Sequence, residues 1–138
     1  EDTLRNGTFI AVGDVNNDGL GDIILGGGPG GGPRVRIAGG NTFLSTPFQS
    51  LDDNAANGFT IGNFLAGPED NRDGVRLAVK DLDGDYNADI VIGLGSAAAD
   101  VPQVRAFRGA DVTNLGVIPT AFLNLASPLN DPEVVYVG

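Results

Sequence analysis

The chain has 138 residues and a formal net charge of -10, with 22 glycines, 8 prolines and neither cysteine nor histidine. This length fits one modest domain, or two very small units that share a core. The lack of cysteine excludes disulfides and thiol chemistry, and an acidic chain lacks the basic surface that nucleic-acid binding requires. No segment approaches the roughly 18 to 20 apolar residues that span a bilayer. We therefore expect neither a nucleic-acid partner nor a membrane span.

Short apolar runs rich in Val and Ile, separated by Gly, Pro, Asn and Asp, predict an all-β fold. The run from Thr8 to Gly13 predicts one strand, and the run from Asp22 to Gly26 predicts the next. The tight loop between them favours an antiparallel pair. Because both runs are apolar at successive positions, we expect both faces of this sheet to be covered.

Four more segments complete the first half of the chain. The stretch from Gly26 to Pro33 predicts a turn, because no helix or central strand could accommodate its glycines and prolines. It is not a phosphate-binding loop, because it lacks the lysine and the following helix. The alternating segment from Arg34 to Ala38 predicts a third strand with its two arginines on one face. The segment from Thr42 to Phe48 predicts a fourth, outer strand. The irregular segment from Ser50 to Asn71 is expected to pack on the sheet as an ordered insertion.

The loop between the first two predicted strands has the sequence DVNNDGLGD. Side-chain oxygens stand at alternate positions of this loop, on Asp14, Asn16, Asp18 and Asp22. Gly19 stands where the chain must fold back, and Leu20 can add its backbone carbonyl. Hard oxygen ligands at this spacing suit calcium, which takes six to eight oxygens at roughly 2.3 to 2.6 Å. The sequence therefore predicts a calcium loop.

The same spacing recurs in the sequence DLDGDYNAD, at residues 81–89. Its candidate side-chain ligands are Asp81, Asp83, Asp85 and Asp89, and Asn87 stands where the carbonyl donor is expected. The flanking residues also match at an offset of 67, as with Val12 and Val79. The chain therefore contains an internal repeat, and we divide it into a first unit, residues 1–73, and a second unit, residues 74–138.

The second unit follows the first with small changes. The segment from Gly95 to Pro102 replaces the glycine-rich turn, and the stretch from Gly93 to Pro102 is two residues longer than its equivalent from Gly26 to Pro33. Gln103 to Phe107 replaces the strand with two arginines. Val117 to Leu125 predicts the outer strand of this unit. Glu133 to Gly138 is similar to the strand that opens each unit, so the sequence predicts two repeats plus one terminal strand.

The order of apolar strand, Asp-rich loop, second strand and glycine turn resembles the FG-GAP or VCBS type of repeat. That family forms calcium-binding β-propeller blades in integrin α-subunit heads and in bacterial surface and secreted proteins. The resemblance covers Thr8 to Gly40 and Val75 to Gly109, and it implies blades that are four-stranded antiparallel sheets. It also implies calcium ligands at loop positions one, three, five, seven and nine, which are Asp14, Asn16, Asp18, Leu20 and Asp22, and Asp81, Asp83, Asp85, Asn87 and Asp89. Tyr86 departs from the family pattern, because glycine is usual at its position and a left-handed backbone costs a tyrosine free energy.

Other calcium motifs do not fit this spacing. An EF-hand or dockerin loop needs a side-chain ligand at position twelve and a helix after it, whereas position twelve here is Leu25 or Ile92. The tandem glycine-rich nonapeptides of RTX repeats are missing from the sequence. The remaining alternative is a turn rich in Asp and Asn that holds no metal, but three or four converging carboxylates would then repel one another.

The predicted function is that of a non-catalytic, calcium-stabilised module for adhesion, scaffolding or protein recognition, with a protein or glycan partner. We expect it outside the cell or on its surface, because calcium loops of this kind fill at roughly 1 mM free ion and stay mostly empty in the cytosol. No enzyme activity is expected, since the usual bases and nucleophiles, histidine and cysteine, are missing. The alternatives are a lectin-type propeller that binds carbohydrate and an accessory domain of a secreted enzyme.

The repeat count raises the question of how such blades would be completed. Propellers typically have four to eight blades, and this chain predicts two. Three explanations fit this count: a piece of a longer propeller, a homo-oligomer whose blades complete a ring, or a terminal strand, Glu133 to Val137, that is shared with a neighbour. We expect a homo-oligomer or a piece of a longer propeller.

Overall fold

The computed structural model describes residues 7–45, 59–95 and 102–126. Within these ranges the chain forms two four-stranded antiparallel sheets, each with its strands in chain order. The first sheet contains β1 (Thr8–Gly13), β2 (Asp22–Gly27), β3 (Arg34–Ala38) and β4 (Thr60–Leu65), with α1 (Gly40–Ser45) between β3 and β4. The second contains β5 (Val75–Lys80), β6 (Asp89–Leu94), β7 (Gln103–Phe107) and β8 (Leu123–Ala126), with α2 (Gly109–Val112) between β7 and β8. The all-β prediction is confirmed.

The internal repeat of the sequence is also a repeat of the structure. Strands β5 and β6 begin and end 67 residues after β1 and β2, and β7 begins and ends 69 residues after β3. The register agrees as well, because β1 pairs with β2 over six residues and β5 pairs with β6 over the six equivalent ones. Each predicted Asp-rich loop therefore joins the first two strands of one sheet. Neither α1 nor α2 is long and apolar enough to cross a membrane.

The prediction for the outer strand of the first sheet is wrong. Most of the segment predicted as that strand, Thr42 to Phe48, is instead helical in α1, and residues 46–48 lie outside the described ranges. The fourth strand is β4, which lies within the segment predicted as an insertion. Its inward residues Gly62 and Phe64 pair with Ile37 and Val35 of β3, and this long-range pairing selects the strand.

Two further predictions need correction, and a third lies outside the described residues. The outer strand of the second sheet, predicted from Val117 to Leu125, is only β8, and residues 117–122 precede it as a turn and loop containing Pro119. The expectation that both faces of the first sheet are covered is wrong for β1, where Ile10 is 65% and Val12 is 63% exposed. The predicted terminal strand, Glu133 to Gly138, lies outside the described residues.

The two sheets pack face to face and share one core. Its fully buried aliphatic residues come from both sheets and include Ile24, Ile37, Ile90 and Ile92. The rings of Phe64 and Phe107 lie 5.1 Å apart across the contact, a separation at which tilted rings attract. The sequence therefore builds one core from two repeats.

Glycines in the first sheet allow the second sheet to come close. A Cβ atom added to Gly13 would lie 2.4 Å from Cγ1 of Val79, and one added to Gly26 would lie 2.6 Å from the carbonyl oxygen of Val75. A hydrogen bond elsewhere also links the two sheets, since Nη1 of Arg105 in β7 donates to the carbonyl of Ala66, which follows β4, at 2.7 Å. Strands β1 and β2 thus lie directly against β5.

Replacing Gly26 with alanine should destabilise the protein by about 1 to 3 kcal/mol, because the new methyl group would overpack against a backbone carbonyl that has no flexible end to move. Gly21→Ala is the matched control, because the nearest atom to its new Cβ is Cγ1 of Val12, an exposed side chain, at 3.0 Å. Urea denaturation of both variants measures the difference. Equal losses of stability would contradict the packing described for Gly26.

Candidate metal centre

The two Asp-rich loops share one backbone shape. In the first loop Asn17 and Gly19 have positive φ angles of 58° and 84°. In the second loop Gly84 and Tyr86, at the equivalent fourth and sixth positions, have φ angles of 82° and 70°. Tyr86 therefore has the left-handed backbone conformation that costs a residue other than glycine free energy. The loop adopts this conformation although it has no glycine at the sixth position.

The first carboxylate of each loop is the centre around which the loop folds. One oxygen of Asp14 accepts a hydrogen bond from the backbone N–H of Gly19 at 2.8 Å. The equivalent oxygen of Asp81 accepts one from the N–H of Tyr86 at 3.1 Å. The other oxygen of each carboxylate accepts a second backbone hydrogen bond, from the N–H of Asp18 at 3.1 Å in the first loop and from that of Gly84 at 2.7 Å in the second. Each carboxylate thus closes a turn around itself.

The last carboxylate of the first loop, Asp22, is fully buried at the start of β2. Its Oδ2 accepts a hydrogen bond from the N–H of Val15 at 3.0 Å, and its Oδ1 accepts one from the N–H of Gly40 at 2.9 Å. Burial raises the pKa of Asp22, and these two backbone hydrogen bonds oppose the rise. One side chain therefore ties the beginning of the loop to the beginning of α1.

Asp89 does the same in the second sheet. It is fully buried, its Oδ2 accepts from the N–H of Leu82 at 2.9 Å, and its Oδ1 accepts from the N–H of Gly109 at 3.2 Å. A Cβ on Gly109 would lie 2.6 Å from the carbonyl oxygen of Ala88. Glycine at this position therefore lets the turn come close enough to reach the buried carboxylate.

Three carboxylates of the second loop converge. Asp81, Asp83 and Asp89 each offer one oxygen, and these oxygens all lie within 4.8 Å of one another. Nε of Arg108 lies 2.8 Å from Oδ2 of Asp83, and this hydrogen bond raises the pKa of Arg108. One neighbouring cation against three clustered carboxylates leaves an excess of negative charge, which a bound cation would offset.

The other two predicted ligands of the second loop bind each other. The side chain of Asp85 accepts hydrogen bonds from the backbone N–H of Asn87 at 2.8 Å and from its Nδ2 at 2.9 Å. The side-chain bond is the main reason that the pKa of Asp85 is lowered. Asp85 therefore lies in the loop as an ionised group, but it is not a member of the three-carboxylate cluster.

The first loop has a different set of charges at the equivalent positions. Asn16 stands where the second loop has Asp83, so positions one, three and nine carry two carboxylates and one amide. Nδ2 of Asn16 donates to Asp18 at 3.2 Å, and Asp18 accepts a further bond from the N–H of Leu20 at 2.9 Å. Among the described residues, Asp14, Asp18 and Asp22 do not form a cluster of the kind that the second loop has. The role of the five first-loop positions as ligands stays a prediction.

Sequence reasoning missed two contributors to these sites. Arg108 is one, and its contact with Asp83 joins residues far apart in the chain, which loop spacing cannot indicate. The other is the glycine whose N–H donates to the buried carboxylate, which is Gly40 for Asp22 and Gly109 for Asp89. A signal for the glycines exists, because they match at an offset of 69, as β3 and β7 do.

Comparison of the chain with protein-family models, with curated proteins and with solved structures found no significant match in any of the three.

Tyr86→Gly should stabilise the protein by about 0.5 to 1 kcal/mol, because glycine adopts the left-handed backbone without steric cost and the tyrosine ring, 85% exposed, contributes little burial. The reciprocal variant is Gly19→Ala, whose added Cβ meets no atom within 4 Å. Its free energy of unfolding should fall by about 1 kcal/mol, because alanine disfavours the left-handed backbone at this position. Urea denaturation of both variants tests this, and a destabilised Tyr86→Gly protein would show that the ring makes contacts that matter.

Asp22→Asn should lower the free energy of unfolding by about 1 to 3 kcal/mol in excess chelator, because an amide NH₂ group cannot accept and would leave a buried backbone N–H without its partner. Asp18→Asn is the control, since Asp18 is exposed. Denaturation in a metal-free buffer distinguishes this structural role from a loss of metal. If both variants lost the same stability, the role assigned to Asp22 would be incorrect.

Proposed function

We propose that this chain is a non-catalytic, calcium-stabilised module with one calcium ion in each Asp-rich loop. The observation that carries the proposal is the cluster of Asp81, Asp83 and Asp89, whose three oxygens lie within 4.8 Å of one another. The equal backbone shape of the first loop extends the proposal to Asp14, Asn16 and the residues that follow. The proposed ligands are Asp14, Asn16, Asp18, Leu20 and Asp22 in the first loop and Asp81, Asp83, Asp85, Asn87 and Asp89 in the second.

The donor set favours calcium among the common metals. Every proposed ligand atom is an oxygen, and the chain has no histidine or cysteine to attract zinc, copper or iron. Magnesium prefers a strict octahedron with several retained waters, whereas calcium accepts a loop of carboxylate, amide and backbone oxygens. Three neighbouring carboxylates in the second loop and a mixture of carboxylates and amide in the first both suit calcium.

The proposed role of the metal is structural. Each loop joins the first two strands of a sheet, so an ion held there would stabilise the hairpin that begins the unit. At roughly 1 mM free calcium and a dissociation constant of about 10 to 100 µM, each site would contribute about 1.4 to 2.7 kcal/mol. This dependence on millimolar calcium supports an extracellular or cell-surface location, where we propose a role in adhesion, scaffolding or protein recognition.

Asp18→Ala and Asp83→Ala should each remove one of two calcium ions from an isothermal titration and abolish about 1.4 to 2.7 kcal/mol of calcium-dependent stability. Asp18 is exposed, so its loss in excess chelator should be small. Asp83→Ala also removes the ion pair with Arg108, so its loss in excess chelator should be larger than that of Asp18→Ala but still smaller than its loss with calcium. Asp70→Ala is the control, because Asp70 is an exposed aspartate outside the loops. The proposal would be rejected if calcium added to the wild-type protein produced no heat of binding and no shift in melting temperature. It would also be rejected if the variants lost the same stability with and without calcium.

A further inference from the structure

We propose that the uncovered face of the first sheet docks onto the second sheet of another copy of this chain. The outer face is defined here as Thr8, Ile10 and Val12 of β1, Ile23 and Leu25 of β2, and the two arginines of β3, which the strand register places on one side of the sheet. Ile10 and Val12 are 65% and 63% exposed. Two neighbouring, strongly exposed aliphatic side chains on the edge strand of a sheet mark a surface that pairs with another protein surface.

The internal repeat identifies what such a face packs against. The residues of the second sheet equivalent to Ile10 and Val12 are Leu77 and Val79, and those equivalent to Ile23 and Leu25 are Ile90 and Ile92. In the second sheet these positions are covered, because Ile90 and Ile92 are fully buried and Leu77 and Val79 pack against the shared core. What covers them is the first sheet, through Gly13 and Gly26. In the first sheet the equivalent Ile23 and Leu25 are half-buried, and Ile10 and Val12 are exposed.

A surface that could cover the outer face is present on this chain. The back face of the second sheet is defined here as its side turned away from the first sheet. It contains Arg76, Ala78 and Lys80 of β5, Val91 and Gly93 of β6, Val104 and Ala106 of β7, and Leu123 and Leu125 of β8. Several of these residues match the covering surface of the first sheet. Ala78 stands at the position of Ala11, and Gly93 stands at the position of Gly26. Ala106 on this face is fully buried, whereas Leu123 is 38% and Leu125 is 54% exposed, so the part of the back face on β8 is open to a partner.

One residue of the back face sets the strength of this contact. Lys80 stands at the position of Gly13, where the close approach of Val79 leaves no room for a side chain. In the intermolecular contact Val12 would approach Lys80, so the lysine must bend aside and the association is weaker than the packing within the chain. Because the two docking faces differ, the contact is heterologous and can add copies in one direction, as a ring or an open filament.

The test is the mass of the full chain in solution by sedimentation equilibrium, from low micromolar to the highest soluble concentration, in calcium-containing buffer. The wild-type mass should rise with concentration above the 14.1 kDa of one chain. Ile10→Glu on the outer face and Leu125→Glu on the back face should each remain monomeric. Lys80→Gly should tighten the association at least tenfold. Ile118→Glu is the control, since Ile118 is 82% exposed and lies on neither face, and it should associate as the wild type does.

Mixing the two monomeric variants gives the sharpest result. Ile10→Glu keeps an intact back face and Leu125→Glu keeps an intact outer face, so an equimolar mixture should form a one-to-one dimer and nothing larger.

Val12→Glu provides a second probe of the outer face if Ile10→Glu loses its circular dichroism spectrum. A wild type and Lys80→Gly that both stay monomeric would overturn the proposal. So would a Leu125→Glu protein that still associates, because the outer faces would then pack on each other. This result is independent of calcium binding, which the titration measures separately.

Discussion

The structure depends on one repeated interaction, a buried aspartate that accepts two backbone hydrogen bonds at the start of the second strand of each sheet. Asp22 and Asp89 each join the first residues of an Asp-rich loop to the glycine that follows the third strand. Burying a carboxylate is costly unless its oxygens are satisfied, and here backbone N–H groups satisfy both. The same contact therefore fixes the loop, the turn opposite it and the strand between them, so the candidate ligands are positioned by the fold itself.

Around this contact the two repeats behave as parts of one structure. Small residues in β1 and β2 let β5 come close, and the aliphatic side chains of both sheets fill one core. The repeat also explains why the two loops differ without changing shape. Glycine occupies the sixth position of the first loop and the fourth position of the second, and at the remaining left-handed position each loop carries another residue, Asn17 or Tyr86.

The first three strands of each sheet and both loops could be predicted from the sequence. The first two strands of each sheet are short apolar runs on either side of an Asp-rich loop of fixed spacing, and the third strand recurs at a matched position in both units. The fourth strand of the first sheet was missed. Its glycine and asparagine, Gly62 and Asn63, interrupt the apolar pattern, and its partner β3 lies more than twenty residues earlier. The same limit applies to the candidate site: loop spacing predicted the converging carboxylates, but Arg108 reaches Asp83 only through the packing of the chain.

The two candidate sites are also joined directly. The carbonyl oxygen of Asp14, the first residue of one loop, accepts a hydrogen bond at 2.7 Å from the N–H of Ala88, which precedes the last residue of the other. Fraying of either loop would break this bond and loosen the neighbouring one. In a stack of repeats, stability is the sum of each unit and its interface with the next. This bond is part of that interface, so the duplicated halves of the chain are expected to melt in a single cooperative transition.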